Sequence, residues 1–113
     1  MILFLDTVSP SAKFDVIEDN NIIQSMNILN KKDNKISDCI LPAFLKLEKI
    51  IKLKNKISKI IICTGPGSYT ALRVGIAFVC GLSFSMNVPL IGLSCPNILK
   101  LAIPESKKIK TLI

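Results

Sequence analysis

The sequence predicts an α/β fold in which a mixed sheet of five or six strands is flanked by helices. The first observation is a series of three strand-like segments at residues 2–6, 13–18 and 22–29, which are separated by turns as in an antiparallel meander. The second is that the chain then alternates helix, strand, helix and strand, which is typical of parallel strands joined by helices. This order of elements is that of a ribonuclease-H-like or actin-like lobe.

The first three strands are predicted from their apolar patterns. The segment Ile2–Asp6 is an almost uninterrupted apolar run, which is typical of a strand buried on both faces. The second strand alternates, with Phe14 and Val16 on one face and Asp15 on the other, and is therefore expected to be half-exposed. Residues 19–21 tolerate positive φ and predict a tight turn into the third strand.

The first helix is predicted over residues 38–53, with Ser37 as its N-cap. Pro42 is expected in its first turn, where the missing N–H costs little. Leu41 and Leu45 lie beside the main apolar stripe. They either widen a core-facing arc or form a second edge that faces a partner. The stripe itself consists of Ile40, Phe44, Leu47 and Ile51.

The most informative segment is the second helix, predicted over Tyr69–Met86 after a buried strand at residues 60–63. Arg73 is its one charged residue in about five turns. A helix without a polar stripe must be covered on more than one side, and a chain of 113 residues has little material to cover it. The sequence therefore predicts that another protein covers part of this helix.

The composition of this helix predicts where the partner packs. It contains two pairs of small residues spaced four apart, and we expect one pair to pack on the sheet and the other against a partner helix. An apolar row beside them is expected to be exposed in the isolated chain, and burying each side chain is worth about 1.5–3 kcal/mol. The small pairs are Ala71 with Gly75 and Ala77 with Gly81, and the row is Phe78, Leu82 and Met86. The predicted partner interface consists of Leu41, Leu45, Arg73, Ala77, Phe78, Gly81, Leu82 and Met86.

The turn between this helix and the preceding strand admits two interpretations. Gly65-Pro66-Gly67-Ser68 precedes a helix N-terminus, where an anion can bind. However, no lysine follows as in a P-loop, and Pro66 lacks an N–H, so a structural turn is favoured. Asp6 could hold Mg²⁺ at the end of the first strand, but a turn-forming aspartate is favoured. Arg73 is a candidate for a salt bridge, for an anion contact near the turn, or for extension into solvent.

Composition excludes several classes of function. The sequence has no histidine, so His-based catalysis and His-containing metal sites are excluded. The net charge of +7 comes almost wholly from scattered lysines, which indicates at most a weak, salt-sensitive attraction to nucleic acid. Its four cysteines have no C-x-x-C spacing and are expected to be reduced.

No membrane span is predicted, because the longest near-apolar run, residues 74–86, is shorter than a bilayer requires. The N-terminus lacks the basic region of a signal peptide. A cytoplasmic protein is therefore expected. Further along the chain, residues 89–93 predict a fifth strand, 95–102 a short helix and 107–113 the start of another strand. Because the sequence ends inside a strand pattern, we expect residues 1–113 to be one lobe of a longer protein.

The sequence resembles the TsaB (YeaZ) family along essentially its whole length. The most specific block is Cys-Thr-Gly-Pro-Gly-Ser-Tyr-Thr-Ala-Leu-Arg-Val-Gly at residues 63–75. The opening Ile-Leu-Phe-Leu-Asp-Thr, Ile-Leu-Pro at 40–42 and the run from Gly81 to Ser94 match in the same order. Members of the family have an actin-like fold of two lobes, so the resemblance implies an N-terminal (Gcp-like) lobe that stops before the second one.

The resemblance also implies a function. TsaB is a non-catalytic subunit that pairs with TsaD, the enzyme that transfers threonylcarbamoyl to the tRNA adenosine next to the anticodon, and TsaE joins them. The first lobe's helices pack on TsaD or on a second TsaB, so tRNA is contacted only indirectly. No catalytic residue, metal or cofactor is assigned to this chain. Two alternatives stay open: an ATP-binding actin-like enzyme that uses Asp6 and the Gly-Pro-Gly turn, and a small basic tRNA-binding module.

Overall fold

The computed structural model describes residues 1–9, 11–29, 35–53, 55–65 and 69–94. Within these ranges the chain forms a five-stranded sheet in the order β3-β2-β1-β4-β5. The strands are β1 (Ile2–Asp6), β2 (Lys13–Glu18), β3 (Asn21–Asn27), β4 (Lys59–Cys63) and β5 (Leu90–Leu93), and the helices are α1 (Ile36–Ile50) and α2 (Tyr69–Met86).

The sheet is mixed, as the order of elements predicted. Strands β1, β2 and β3 are antiparallel neighbours, whereas β1 pairs with β4 and β4 with β5 in parallel. Helix α1 connects the antiparallel part to β4, and α2 connects β4 to β5. The α/β fold class and the bounds of α2 are therefore confirmed.

The main core lies between one face of the sheet and the two helices. Alternate residues of the central strands point into it, including Leu3, Leu5 and Phe14, and α1 contributes Phe44 and Leu47. A second cluster lies on the opposite face and consists of Phe4, Val8, Ile61, Cys63 and Leu93. Strands β1 and β4 are thus buried on both faces, in agreement with their continuous apolar runs.

Three phenylalanine rings join the sheet to both helices. Phe14 of β2 lies 5.8 Å from Phe44 of α1 and 5.9 Å from Phe78 of α2, measured between ring centroids. Phe44 and Phe78 are 5.6 Å apart and meet edge to face. Such tilted pairs at 4.5–7 Å are favourable beyond the area they bury, so this triad fixes how the two helices sit on the sheet.

The second face of β2 differs from the prediction. Asp15 was expected on an exposed face, but it is only 3% exposed. Its carboxylate accepts a hydrogen bond from Ser25 Oγ and lies 3.6 Å from Lys13 Nζ. A buried carboxylate needs such partners, because an unpaired one would cost several kcal/mol. The polar residue in the alternating pattern of β2 is therefore a buried, hydrogen-bonded carboxylate, and its side of the strand does not face solvent.

The start of α1 also differs from the prediction. The helix begins at Ile36, and its N-cap is Lys35, which makes no side-chain capping bond. Pro42 consequently lies inside the helix and not in its first turn. The predicted N-cap, Ser37, is wrong because the helix begins earlier, and α1 ends at Ile50, so Ile51 is its C-cap.

The turns follow their residue types. Asp19 and Asn20 have φ of 54° and 67°, as the tight turn between β2 and β3 requires. Asn87 has φ of 57° and ends α2, as predicted. The helix predicted at residues 95–102, the strand predicted from 107 and Pro66, Gly67 and Ser68 of the turn lie outside the described residues.

Candidate functional site

One side of α2 is apolar and faces solvent. We define the outer face of α2 as its exposed side chains at helical spacing on that side. Phe84 is 91% exposed and Tyr69 is 72% exposed, which are high values for large aromatic side chains. Arg73 carries the one charge there, and its guanidinium carbon lies 5.9 Å from the centre of the Tyr69 ring, within cation–π range. The outer face consists of Tyr69, Arg73, Ile76, Ala77, Cys80, Gly81 and Phe84.

The opposite side of α2 packs on the sheet. Gly75 and Val79 are its fully buried residues. A Cβ atom added at Gly75 would lie 2.8 Å from Thr7 Oγ1, so the helix backbone approaches the end of β1 closely. At Gly81 an added Cβ would meet nothing within 4 Å. Of the two small pairs, the one with Gly75 packs on the sheet and the one with Gly81 faces open space.

Helix α1 extends this apolar surface. Leu41 and Leu45 are 51% and 50% exposed, so they do not belong to a wide core-facing arc. They lie three residues before Phe44 and Glu48, which line a groove of about 420 Å³ together with Leu82 and Met86 of α2. Residues three apart share one side of a helix, so the two exposed leucines lie on the flank of α1 that adjoins α2.

Three residues of the predicted interface have a different environment. Phe78, Leu82 and Met86 are half-buried and pack against the main core, and Phe78 belongs to the phenylalanine triad. These three side chains were expected on a free surface, but they pack largely against the core of this chain. The residue that takes its place on the outer face, Phe84, was not among the predicted residues. Its spacing of four from Cys80 and eleven from Arg73 could have identified it.

The end of β1 is organised as a turn. Asp6 Oδ1 accepts hydrogen bonds from the backbone N–H groups of Val8 and Ser9 at 3.0 and 3.1 Å. This favours the turn-forming role over a metal site, and the described residues contain no group of three His, Cys, Asp or Glu side chains that could hold a metal ion. The hydroxyl of Thr7 is buried without a hydrogen-bond partner.

Gly65 begins the glycine-rich turn in a conformation that suits glycine. It is buried and has φ of 126°, which side-chain-bearing residues rarely adopt. The position therefore requires glycine for the path of the backbone itself, which supports a structural role for at least the first residue of the turn.

The cysteines differ in bonding state and exposure. Cys63 is disulfide-bonded, so the expectation of reduced thiols is wrong for this residue. Cys39, half-buried, and Cys80, exposed on the outer face of α2, are free. Cys80 thus provides a chemical probe at the centre of the candidate surface.

Helix α2 meets the length and composition requirements of a membrane span, contrary to the expectation that the apolar run is too short. One such helix is weak evidence, because helices of soluble folds satisfy the same requirements. Here the helix packs on the sheet through Gly75 and Val79 and carries Arg73 on its other side. This packing is that of a helix on the sheet of an α/β fold, with its other side exposed.

The chain matches a family profile described as "TsaD: tRNA N6-adenosine threonylcarbamoyltransferase" over residues 28–108. Two similar curated proteins are tRNA threonylcarbamoyladenosine biosynthesis proteins TsaB. The one from Bacillus subtilis is 27% identical over 82% of this chain and 40% of its own length. The one from Buchnera aphidicola of Schizaphis graminum is 30% identical over 88% of this chain and 46% of its own length.

A third curated protein from the same Buchnera is a tRNA N6-adenosine threonylcarbamoyltransferase, 44% identical over 40% of this chain and 14% of its own length. Among solved structures, YeaZ from Pseudomonas aeruginosa aligns with a TM-score of 0.66 and 22% identity, over 82% of this chain and 42% of its own. A further crystal structure, of a protein described as similar to peptidase YeaZ, gives 0.67 and 21% over the same shares. These structures establish the fold.

The chain spans less than half the length of the TsaB proteins it matches, 40% and 46%. The profile match covers most of the sequence, both longer curated alignments are to TsaB, and the fold is that of YeaZ. The chain therefore belongs to the TsaD family, and the curated relatives that align with most of it are TsaB proteins.

Proposed function

We propose that this chain is a scaffold lobe that docks on TsaD and supports transfer of threonylcarbamoyl to the tRNA adenosine next to the anticodon. In this proposal Leu41 and Leu45 of α1 and the outer face of α2 form the contact, and TsaD carries the chemistry. Two kinds of support exist. The curated relatives belong to this biosynthesis, and the chain exposes an apolar helical surface that a lone lobe leaves in water.

Phe84 is the observation that carries the proposal. Its side chain is 91% exposed, and no charged side chain lies within one turn of it on α2. Fully burying a phenylalanine is worth about 1.5–3 kcal/mol, and such aromatic anchors dominate the energetics of many interfaces. An exposed aromatic among small residues therefore fits a partner helix that approaches closely beside Gly81.

The proposal places the remaining predicted interface residues in two groups. Leu41, Leu45, Ala77 and Gly81 contact the partner directly, and Arg73 forms a salt bridge to a carboxylate on it. Phe78, Leu82 and Met86 act through the lobe's own packing, because they hold α2 against α1. No catalytic, metal-binding or cofactor-binding residue is assigned.

The partners follow from the same surface. TsaD is the proposed main partner and a second copy is the alternative occupant, whereas TsaE and tRNA would be met within the assembled complex. The setting would be the cytoplasm, where tRNA is modified. The proposal treats residues 1–113 as an N-terminal lobe, and whether this lobe works alone is part of the test.

ATP binding at the end of β1 is the rival function. It is less well supported, because Asp6 already accepts two backbone hydrogen bonds, although the unpaired Thr7 hydroxyl lies beside it. Isothermal titration with Mg-ATP separates the two functions. The scaffold alone should give no heat of binding, whereas saturable binding that Asp6→Ala abolishes would favour the rival.

The direct test is complex formation with TsaD by variants matched in exposure. Phe84→Ser should abolish co-purification with TsaD while leaving the melting temperature of the lobe unchanged. Ile50→Ser is the matched control, because Ile50 is 57% exposed but is the last residue of α1 and is not among the residues of the proposed contact. Equal recovery of TsaD with both variants would refute the proposed docking surface.

A further inference from the structure

The second face of the sheet is apolar and closely covered. It lies opposite to the main core and consists of Phe4, Ile61, Cys63 and Leu93. All four side chains are at most 4% exposed. Among the described residues, Val8 and Leu72 are the only ones outside the strands that pack on this face. Strands reach such burial on both sides only between two covering layers, and two side chains do not make a layer.

The chain after Ser94 is the candidate for this cover. Strand β5 leads directly into it, and residues 98–103, Ile-Leu-Lys-Leu-Ala-Ile, are apolar except for one lysine. Ile98, Leu101 and Ala102 recur at helical spacing, which predicts one apolar side that can pack on a sheet. The other stretches outside the described residues are short, and the longest of them, 30–34, has no apolar side chain.

A disulfide lies at the junction of this segment with the second face. Cys63 is the last residue of β4, is fully buried and is disulfide-bonded. The sequence has four cysteines, and Cys39 and Cys80 are free, so Cys95 is the residue that remains as its partner. Cys95 follows two residues after Leu93, which is the register partner of Cys63 in β5. The bond therefore fastens the first residue of the segment beside the second face.

A disulfide is unusual in the compartment proposed for this chain. Cytoplasmic thiol systems keep most cysteines reduced, and the disulfides that do form there are usually catalytic or redox-sensing. A catalytic cysteine is partly exposed, whereas Cys63 is 0% exposed. A redox-sensing role fits the placement, because the bond joins a strand to the segment that would cover it. The cytoplasmic setting is the one part of the proposed function on which this inference rests.

We propose that the disulfide between Cys63 and Cys95 is a redox switch that fastens residues 95–113 over the second face. A dithiol reductant supplies the electrons. Its thiolate attacks the sulfur of Cys95, because that of Cys63 is buried, and Cys63 leaves as a thiolate that takes up a proton. The second thiol of the reductant then attacks the mixed disulfide, and Cys95 leaves in the same way. Two electrons and two protons have then passed to the chain, and the reductant holds the new disulfide.

Reduction is expected to uncover the second face and to leave the main core intact. The pairing of β4 with β5 does not depend on the sulfur atoms, because Thr64 N–H donates to Leu93 O at 2.7 Å and the strands pair along their whole length. The main core is enclosed by the two helices on the other side of the sheet. The reduced chain would therefore keep its fold and expose Phe4 and Ile61.

The first test is a redox titration of the isolated chain in buffers of reduced and oxidised glutathione. Free thiols are trapped by alkylation at each ratio and assigned by peptide mass spectrometry. Cys63 and Cys95 should change from disulfide to thiol together, in one two-electron transition within the range of ratios used. A chain with Cys39→Ser and Cys80→Ser should titrate at the same ratio, because those thiols take no part.

The second test is hydroxyl-radical footprinting of the oxidised and reduced chain, which contains three informative phenylalanines. Phe4 is 4% exposed, and its oxidation rate should rise about tenfold on reduction, toward that of Phe84, which is 91% exposed in either state. Phe14 is 0% exposed in the main core and is the matched control. Its rate should not change.

Variants separate the disulfide from a general effect of the reductant. In Cys95→Ser, Phe4 should react at the high rate with and without reductant, and Cys63 should remain a thiol. Cys80→Ser is the matched control and should respond to reduction as the parent does. If Cys95→Ser does not fold, the titration and footprinting of the parent chain decide the matter.

Four results would overturn the proposal. The first is that Cys63 is alkylated as a free thiol at every glutathione ratio, and the second is that its disulfide resists all of them. The third is that Phe4 stays protected after both thiols are free. The fourth is that Phe14 becomes reactive together with Phe4, because the reduced chain would then be unfolded and not uncovered. TsaD is absent from these experiments, so their outcome is independent of the proposed docking surface.

Discussion

Gly75 of α2 lies directly on Thr7 at the end of β1. A Cβ atom at position 75 would lie 2.8 Å from Thr7 Oγ1 and 2.9 Å from Thr7 Cγ2, closer than real Cβ contacts. Thr7 is 3% exposed and β-branched, so its side chain has little freedom to move away. This contact sets the rotation of α2 and thereby decides which side of the helix faces outward.

Gly75→Ala should therefore destabilise the lobe. Overpacking of this kind costs about 1–3 kcal/mol, which outweighs the gain of up to about 1 kcal/mol from replacing glycine with alanine in a helix. The matched control is Gly81→Ala. It should gain the helix propensity of alanine without any overpacking, because nothing lies within 4 Å of its added Cβ. Thermal unfolding should show opposite shifts, and equal shifts would contradict the packing described.

Thr7→Val should leave stability unchanged or raise it by about 1 kcal/mol. Valine has nearly the same shape and removes a buried hydroxyl that has no hydrogen-bond partner. Urea unfolding measures the change, with Ser9→Ala as a control at the same turn. A loss of more than about 1 kcal/mol would show that the hydroxyl makes a favourable hydrogen bond.

Phe78→Ala and Phe84→Ala should differ strongly in their effect on the free energy of unfolding, because the two side chains lie on different sides of α2. Phe78 contacts both other rings of the triad, so its loss should lower the free energy of unfolding by about 3 kcal/mol. Phe84 is 91% exposed, so its loss should change the free energy by less than about 0.5 kcal/mol. Denaturant unfolding of both variants tests this, and a large effect at Phe84 would place that side chain in the core.

Much of the fold could be predicted from the sequence because strand and turn signals are local. The apolar runs at β1 and β4, the turn at Asp19 and Asn20, and the end of α2 at Asn87 each depend on adjacent residues, and the structure confirms them. The start of α1 could not be predicted from capping residues, because Lys35 caps the helix without a side-chain bond. Its position is set by packing of the helix on β3 and the core.

The rotation of α2 could not be read from its pattern. A helix that is apolar on all sides has no polar stripe to mark the exposed side, so Phe78, Leu82 and Met86 were as plausible an outer row as Ala77, Cys80 and Phe84. The rotation of α2 depends on which of the two pairs of small residues packs on the sheet. The tertiary contact between Gly75 and Thr7 shows that it is the pair with Gly75, and this leaves Phe84 on the outer face.

Ser25→Ala should destabilise the lobe by about 1–3 kcal/mol, because it removes a hydrogen bond to the buried carboxylate of Asp15. Asn27→Ser, two residues away on the same strand, is the control and should have little effect. Thermal unfolding measures both. Equal stability of the two variants would mean that Asp15 finds another donor.

The proposed docking of α1 and α2 on TsaD is tested most directly by the reactivity of Cys80. This thiol is free and exposed on the outer face of α2. Cys39 is free and half-buried on the side of α1 that lines the groove beside β3, away from Leu41 and Leu45, and serves as the internal reference. Maleimide labelling, resolved by peptide mass spectrometry, should slow about tenfold at Cys80 when TsaD binds nine-tenths of the chain, because only the free form reacts. The rate at Cys39 should not change. An unchanged rate at Cys80 in a confirmed complex would contradict the account.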